Sequence, residues 1–193
     1  HFNTTVTVNL VEKTSPDVAV LATGSVPKTL PVPGINGKNV IQAVHLIQQD
    51  PAIGQRVLVV GGRLVGMEVA LDLSKKGKTV FIATARRLGE NGEKPEENIY
   101  RTLRDRLIGN GVQILPGCPL LEIRKDGAFL DDDGNLLFLK VDKIVLAVGS
   151  VPNNELLSEL SPLVPEVHLI GDGVEPRDGL EAMAEAAELG RLL

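Results

Sequence analysis

One stretch limits the fold more than any other: Arg56-Val57-Leu58-Val59-Val60-Gly61-Gly62-Arg63-Leu64-Val65-Gly66-Met67-Glu68. A basic residue opens an apolar run, glycines break it, and a helix-forming segment follows from Leu64 through Lys76. Strand, tight turn and helix in that order open a dinucleotide-binding unit. In such a unit the first glycine makes the turn and the middle one lets a pyrophosphate approach the backbone at the helix N-terminus. The last lets the helix pack closely on the strand. Gly61 and Gly66 hold the first and last places, with Gly62 between them, but Arg63 stands where the middle glycine belongs. The departure from the pattern sits at the phosphate.

The flanking sequence extends this unit. Lys75-Lys76-Gly77 closes the helix with basic residues in its last turn and a glycine after it. Thr79 to Thr84 reads as the next strand and Leu88 to Lys94 as a loop. Pro95 with Glu96 and Glu97 starts a helix whose buried stripe is Ile99, Leu103 and Leu107. Gly109-Asn110-Gly111 stops it, and Val112 to Leu115 is a strand. Residues 56–115 therefore read β-α-β-α-β, which predicts an α/β fold with a Rossmann-like, doubly wound parallel sheet. From Leu120 to Lys140 the pattern changes to short strands split by Asp126-Gly127 and by Asp131 to Asn135, an antiparallel β-meander. Lys143 to Gly149 returns to a buried strand.

On the N-terminal side, Thr4 to Leu10 reads as a strand, Val11 to Pro16 as a connector, and Asp17 to Gly24 as a second buried strand. Ser25 to Gly34, with its prolines, is a loop. Asn39 is expected to cap a short amphipathic helix with Val40, Ile41, Val44 and Ile47 on one face. Pro51 to Gln55 is a loop. At the other end, Val167 to Asp172 is a last buried strand, and Leu180 to the end is an alanine-rich helix. Gly24 and Gly149 echo each other: each ends a strand, and a proline follows at the same offset (Pro27, Pro152).

Bulk properties exclude several function classes. A net charge of −5 gives no reason to expect nucleic-acid binding. No apolar run approaches the ~20 residues needed to span a bilayer, so no membrane partner is expected and a cytoplasmic location is the default. With only 3% aromatic residues, aliphatic side chains must build the core. The single cysteine, Cys118, excludes an internal disulfide or a multi-cysteine metal site. It lies in a Pro116-Gly117-Cys118-Pro119 turn and reads as inert. Asp131 to Asp133 lacks the spaced ligands of a calcium loop and reads as a solvated hairpin turn. His45 and His168 are isolated and read as core or surface residues. No metal ligand set is expected.

Several motifs stand in a fixed order. Ala22-Thr23-Gly24-Ser25 is followed by Pro27. The glycine-rich βαβ unit has Glu68 just after its last glycine, and the meander follows. Gly149-Ser150-Val151-Pro152-Asn153 and then Ile170-Gly171-Asp172 before a helix complete the series. The order resembles the two-dinucleotide-binding-domain flavoproteins, the pyridine nucleotide-disulfide/FAD-dependent oxidoreductase superfamily. The closest look is to the C-terminal region of the old-yellow-enzyme-like NADH:flavin oxidoreductases such as 2,4-dienoyl-CoA reductase and trimethylamine dehydrogenase. The resemblance implies three parts. Residues 1–51 and 146–193 would be remnants of an FAD-binding domain, and residues 52–145 an inserted NAD(P)H-binding domain. It implies NADP(H) or NAD(H) as ligand and FAD in the parent protein. It also implies that the upstream flavin-binding domains of the same polypeptide are missing partners. The chain opens on His1, so a piece of a larger or processed protein is expected, and alone it is expected to be inactive.

The candidate cofactor residues follow. Gly61, Gly62 and Gly66 form a pyrophosphate cradle or, more plainly, a glycine turn packing helix on strand. Arg63 leaves two readings open: its side chain crowds the phosphates and marks a degenerate domain, or its guanidinium pairs with one, a bond of roughly 1.5–3 kcal/mol. Thr84 replaces the acid that usually holds the ribose 2′-hydroxyl of NAD, and Arg86 and Arg87 after it suit the 2′-phosphate of NADP; the plain alternative is a solvated basic loop. By resemblance, Glu68 lies near the nicotinamide–flavin contact and Asp172, after Gly171, binds the FAD ribityl chain. Gly24 and Gly149 let chain segments pass close to the cofactors. No catalytic acid or base is expected. The expected function is the NAD(P)H-binding region of an FAD-dependent oxidoreductase that positions nicotinamide for hydride transfer. The alternative is a degenerate domain that binds ADP or nothing and serves as a structural or interaction element.

Overall fold

The apolar run at Arg56–Val60 alternates between two destinations. Val57 and Val59 face one cluster, with Val80, Ile82, Val145, Met67, Ala70 and Leu107. Leu58 and Val60 face another, with Phe81, Ala83, Ile144, Leu146, Leu120, Ile123, Ala128 and Leu130. A strand covered on both faces needs apolar residues at every position, so its sequence reads as a continuous run and not as an alternation.

The computed structural model describes residues 1–49, 51–86 and 97–193. In chain order its elements are α1 (Val8–Thr14), β1 (Val18–Leu21), β2 (Ser25–Pro27), β3 (Val40–Gln42), α2 (Ala43–Gln49), β4 (Arg56–Val60), α3 (Leu64–Lys75), β5 (Thr79–Thr84), α4 (Glu97–Gly109) and β6 (Gln113–Pro116). There follow β7 (Leu120–Arg124), β8 (Gly127–Asp132), β9 (Asn135–Lys140), β10 (Lys143–Leu146), β11 (Ser150–Pro152), α5 (Glu155–Leu160), β12 (Glu166–Leu169) and α6 (Gly179–Leu192). The contacts divide the chain into two compact units, Pro27–Gly149 and His1–Val26 with Ser150–Leu193.

The larger unit is a five-stranded sheet in the order β3-β10-β4-β5-β6, with every pair parallel. Helix α3 lays Met67, Ala70 and Leu73 on one face, and Leu107 of α4 joins them. On the other face a three-stranded antiparallel sheet, β7-β8-β9, takes the place of a second helical layer. Its strands are joined by Asp-containing turns, and the Asp131 carboxylate accepts the Gly134 N–H at 2.7 Å, the local work expected of a solvated hairpin turn. The start of β4 is pinned by Asp142, whose Oδ2 accepts the backbone N–H groups of Gln55 (2.7 Å) and Arg56 (2.8 Å). Those two bonds hold the Asp142 carboxyl below its usual range.

In the smaller unit β1 and β12 form a two-stranded parallel sheet. Leu21, Val11, Leu160 and Val164 make its small core. Strands β2 and β11 pair as a second two-stranded sheet, so the two echoing Gly-Ser-x-Pro stretches lie side by side.

Several expectations need correction. Thr4 to Leu10 is not a strand: Thr7 caps α1, its Oγ1 accepting the Leu10 N–H at 3.3 Å, and the first seven residues carry no regular element. Local capping chemistry outweighs the strand propensity of Thr and Val there. Asn39 does not cap a helix over Val40 and Ile41. Those residues form β3, recruited by its pairing with β10, and the helix starts at Ala43. Its buried residues are Ala43 and Leu46, whereas Val44 and Ile47 are exposed. Within Ser25 to Gly34, Ser25–Pro27 is a short strand. Helix α5 went unpredicted. Strand β12 is half-buried and ends at Leu169, and Gly171–Gly173 is a 3-10 turn. In the α4 stripe Leu107 is buried and Leu103 packs against the core, but Ile99 is exposed. The loop Leu88 to Lys94 and the helix start at Pro95 and Glu96 lie outside the described residues. The compact units divide at 26/27 and 149/150, and β3 joins the sheet of the larger unit through β10.

Candidate functional site

At the C-terminal ends of the parallel strands the backbone crowds. Gly61 leaves β4 at φ +118°, its N–H bonded to Ala83 O (2.9 Å), while Ala147 N–H bonds to Val60 O (2.8 Å). A Cβ on Gly61 would lie 2.2 Å from the Ala147 carbonyl oxygen, and one on Gly66 would lie 2.1 Å from the Gly61 carbonyl oxygen. Both glycines are therefore fixed by strand, turn and helix meeting at backbone contact, and this close meeting brings the N-terminus of α3 to the sheet crest. Helix α3 begins after Arg63, whose side chain makes no capping bond. The first N–H groups of a helix have no partner within it, which gives that end its affinity for anions.

Beside this crest lies a cavity of about 420 Å³. Gly61, Gly62, Arg63, Thr84 and Arg86 line it, together with Lys28 from the loop before β3. Leu30, Val32, Leu120 and Val148 add apolar lining, and no Asp or Glu is among the described lining residues. Arg63 has φ −78° and ψ 175°, extended backbone that any residue adopts, so its presence in the turn costs no strain. Its Nη1 is 3.9 Å from where a Cβ on Gly149 would stand. The cavity persists with the arginine in its wall.

Thr84 is buried, and its hydroxyl donates to the Arg86 carbonyl. The loop after β5 is tied to the turn after β6: Cys118 N–H donates to Thr84 O (2.7 Å) and Gly117 N–H to Arg86 O (3.4 Å). Those bonds present Arg86 at the end of β5 as an exposed side chain. Arg87 lies outside the described residues. Cys118 also lines the cavity, but its thiol is buried, 3.6 Å from Asp132 Oδ1. Burial, then the Asp132 charge, pushes its pKa up, so it stays a thiol at neutral pH, as an inert cysteine should. Glu68 is exposed on α3 and is not among the lining residues.

The remaining candidates divide between the units. Gly149, at φ +93°, lies three residues past β10, and its carbonyl accepts the Lys28 N–H at 2.9 Å. In the smaller unit Gly24 (φ +69°) accepts the Asn153 N–H at 3.0 Å, and the Thr23 hydroxyl donates to the Asn153 carbonyl. Gly171 (φ +65°) gives its N–H to Glu185 Oε2 at 2.7 Å, and Glu185 also pairs with Arg177. Asp172 accepts the Ser25 hydroxyl (3.2 Å) and the Arg177 backbone N–H (3.3 Å). The Arg177 guanidinium, then the Gly171 N–H, holds the Glu185 carboxyl below its usual range. His168 is not a ligand of anything described: its Nε2 meets Glu166 Oε1 at 2.6 Å. Lys28, Ser25, Arg177 and Glu185 were missed from sequence. Lys28 sits in a proline-rich loop, Ser25 is recognised only through Asp172 far along the chain, and Arg177 and Glu185 only through the packing of α6 on the Gly171 turn.

Residues 3–185 match the sequence profile of the family described as pyridine nucleotide-disulphide oxidoreductase. The metal reductase of Desulforamulus reducens is 32% identical over 195 residues, an alignment covering 86% of this chain and 29% of that protein. The cinnamate reductase of Clostridium sporogenes is 29% identical over 91% of this chain and 26% of its own. Among solved structures, that of 2-naphthoyl-CoA reductase in complex with 2-naphthoyl-CoA has the same fold, with a TM-score of 0.84 over 97% of this chain and 28% of its own, at 24% identity. The chain thus spans under a third of the length of each. No helix among the described residues is long and apolar enough to cross a membrane.

Proposed function

We propose, from the premise that the chain belongs to the pyridine nucleotide-disulphide oxidoreductase family, that residues 52–145, which lie within the larger compact unit, are the NAD(P)H-binding region of an FAD-dependent oxidoreductase longer than this chain. The family's cofactors are a pyridine nucleotide and FAD, and the fit of the first can be judged on this chain's own atoms. Gly61 and Gly66 sit where a Cβ would strike backbone, and the space beside them is lined by both cations and aliphatic groups. A dinucleotide has that division of character, anionic phosphates joined to flat apolar rings.

The observation that carries the reading is the one cavity that Gly61, Gly62, Arg63, Thr84 and Arg86 share, with no carboxylate among its described lining residues. In it the N-terminus of α3 and the Arg63 guanidinium hold the pyrophosphate. Arg86 holds the 2′-phosphate of NADP at the end of β5, where an acid would select NAD. Thr84 serves Arg86 through the backbone: its hydroxyl is spent on the Arg86 carbonyl and shapes the loop. Bound nicotinamide supplies a hydride and the flavin accepts it; the residues here bind, orient and exclude water, and none is needed as an acid or base. In the smaller unit, Gly171 and Asp172 with the Ser25 hydroxyl are the candidate contacts to FAD, and Glu68 remains a candidate near the nicotinamide only by resemblance. The three-part division, 1–51, 52–145 and 146–193, belongs to the same proposal.

Arg63 in the place of the middle glycine favours a second reading, a site that takes ADP or nothing and acts as a structural domain. Calorimetric titration with NADPH, NADH and ADP decides between them. The expected result is saturable NADPH binding about tenfold tighter than NADH, the worth of one charge-assisted contact. Equal affinities would remove the role of Arg86, and binding of ADP alone, or of nothing, would establish the second reading.

A further inference from the structure

We infer that Lys28 is a ligand of the dinucleotide's pyrophosphate, supplied by the loop before the sheet and not by the strand–turn–helix unit; the inference rests on the nucleotide reading above. Among the described residues, Lys28 lines the cavity with two other cations, Arg63 and Arg86, and none of the described lining residues is an Asp or Glu. The chain as a whole carries an excess of acids, net −5. Three cations among the described lining residues therefore run against the composition, and positive charge gathered in a concave wall draws an anionic ligand.

The backbone fixes where along the crest each cation stands. The sheet order is β3-β10-β4-β5-β6. The Lys28 N–H donates to Gly149 O, just past β10, and the Lys28 carbonyl accepts Gln42 Nε2 at the end of β3 (3.3 Å). Arg63 opens the helix that follows β4, and its Nη1 stands 3.9 Å from the Cβ position of the same Gly149. The Lys28 backbone and the Arg63 guanidinium thus both stand at Gly149, and both residues line the cavity beside the N-terminus of α3. Arg86 stands past β5, tied through its carbonyl to Gly117 after β6. Neighbouring strands are about 4.8 Å apart, so the Lys28 anchor and the Arg86 anchor are separated by about 10 Å. The pyrophosphate belongs at the helix N-terminus and the 2′-phosphate at the end of β5. Lys28 is on the pyrophosphate side.

This placement makes Lys28 indifferent to the feature that separates NADPH from NADH. It reads a group that NADPH, NADH and ADP all carry. A lysine acts on it as a compact point charge, with no bidentate geometry to lose on exchange for arginine.

The test is calorimetric titration of the 193-residue chain, as wild type, Lys28→Gln and Lys28→Arg, with ADP, NADH and NADPH. The expected result is that Lys28→Gln weakens all three ligands by about the same factor, near tenfold, leaving the NADPH-to-NADH ratio unchanged, while Lys28→Arg keeps most of the affinity. Arg86→Ala in the same experiment collapses the ratio instead. Unchanged affinities in Lys28→Gln overturn the inference, as does a loss confined to NADPH, which would make Lys28 a 2′-phosphate ligand. A loss that spares ADP would place Lys28 on the nicotinamide half and overturn it equally. Wild type that binds none of the three overturns the nucleotide reading and this inference together. Wild type that binds while Lys28→Gln is unaltered overturns the inference alone. Lys28 is exposed, and matching thermal melts show that the variant is folded; Lys28→Met, of similar length and without charge, gives the same readout should the glutamine variant melt early.

Discussion

The two units use the same device, parallel strands, and reach different ends with it. In Pro27–Gly149 the strands β4, β5 and β10 are covered on one side by α2, α3 and α4 and on the other by the meander, and Val57, Leu58, Val59, Ile82, Ile144 and Val145 are wholly buried. In His1–Val26 with Ser150–Leu193 the parallel pair β1–β12 has only Leu21 fully inside, and Val20 in the middle of β1 is 43% exposed. Leu180, Met183 and Leu192 of α6 are exposed as well. Parallel sheets are stable when both faces are covered. The larger unit meets that condition within its own residues and the smaller one does not, so the same strand type carries very different energy in the two.

The largest effect expected from a single change falls on the crest of the larger unit. Gly61→Ala puts a Cβ 2.2 Å from the Ala147 carbonyl and forces an L residue to φ +118°. Overpacking and backbone strain each cost about 1–3 kcal/mol, so the variant is expected to lose about 4 kcal/mol. Hydrogen exchange checks it: amides of β4, β5 and β10 should lose protection by orders of magnitude while those of β1 and β12 change little. Equal loss in both sets would show that the units unfold together and would dissolve the comparison.

Next come matched deletions in the two cores. Leu58→Ala is expected to cost about 3–4 kcal/mol, because the site is sealed on both faces and a cavity cannot collapse. Leu21→Ala, in the thin core of the smaller unit, is expected to cost about 2 kcal/mol, since neighbours that are only half-buried can relax into the space. Urea denaturation of the two variants measures the difference. A Leu21→Ala cost equal to that of Leu58→Ala would mean that the smaller unit is as well packed as the larger.

The same contrast explains what was legible in the sequence. The unit from β4 to β6 is legible in order and type because its signals are local and agree: apolar runs of strand length, Gly61 and Gly77 at the turns, and a helix-forming segment closed by Lys75 and Lys76. The meander was legible through Asp126-Gly127 and Asp133-Gly134, turn chemistry that needs no distant partner. What was misread depends on distant pairing. Val40–Gln42 is a strand only because β10 lies beside it, and three residues carry no period of their own. In the site, Gly61, Gly62, Arg63, Thr84 and Arg86 were named from the motif and do line one cavity. Lys28 was not, because a lysine in a proline-rich loop is anonymous until Gly149 is known to be its partner. The plain reading of two glycines was also partly right: Gly61 and Gly66 are required by protein backbone before any phosphate is considered.

The smallest effect belongs to the smaller unit and tests whether its polar contacts offset its thin core. Glu185 ties α6 to the Gly171 turn, accepting the Gly171 N–H and pairing with Arg177. These contacts lower its pKa in the folded state, the Arg177 bond most. A carboxylate whose folded pKa is depressed contributes stability that is fully present above its unfolded pKa, about 4.3, and is lost as pH falls through the folded value. Glu185→Gln keeps an acceptor for the Gly171 N–H and removes only the charge. Its melting temperature should therefore lie slightly below that of wild type at pH 7, and the gap should close in acid below the glutamate range. The gap should also shrink in high salt, because Glu185 and Arg177 are each about 30% exposed and solvent ions reach the pair. A gap that persists unchanged at low pH would assign the contribution of Glu185 to its shape and not to its charge. The polar contacts of α6 would then add nothing through charge to the thin core of the smaller unit.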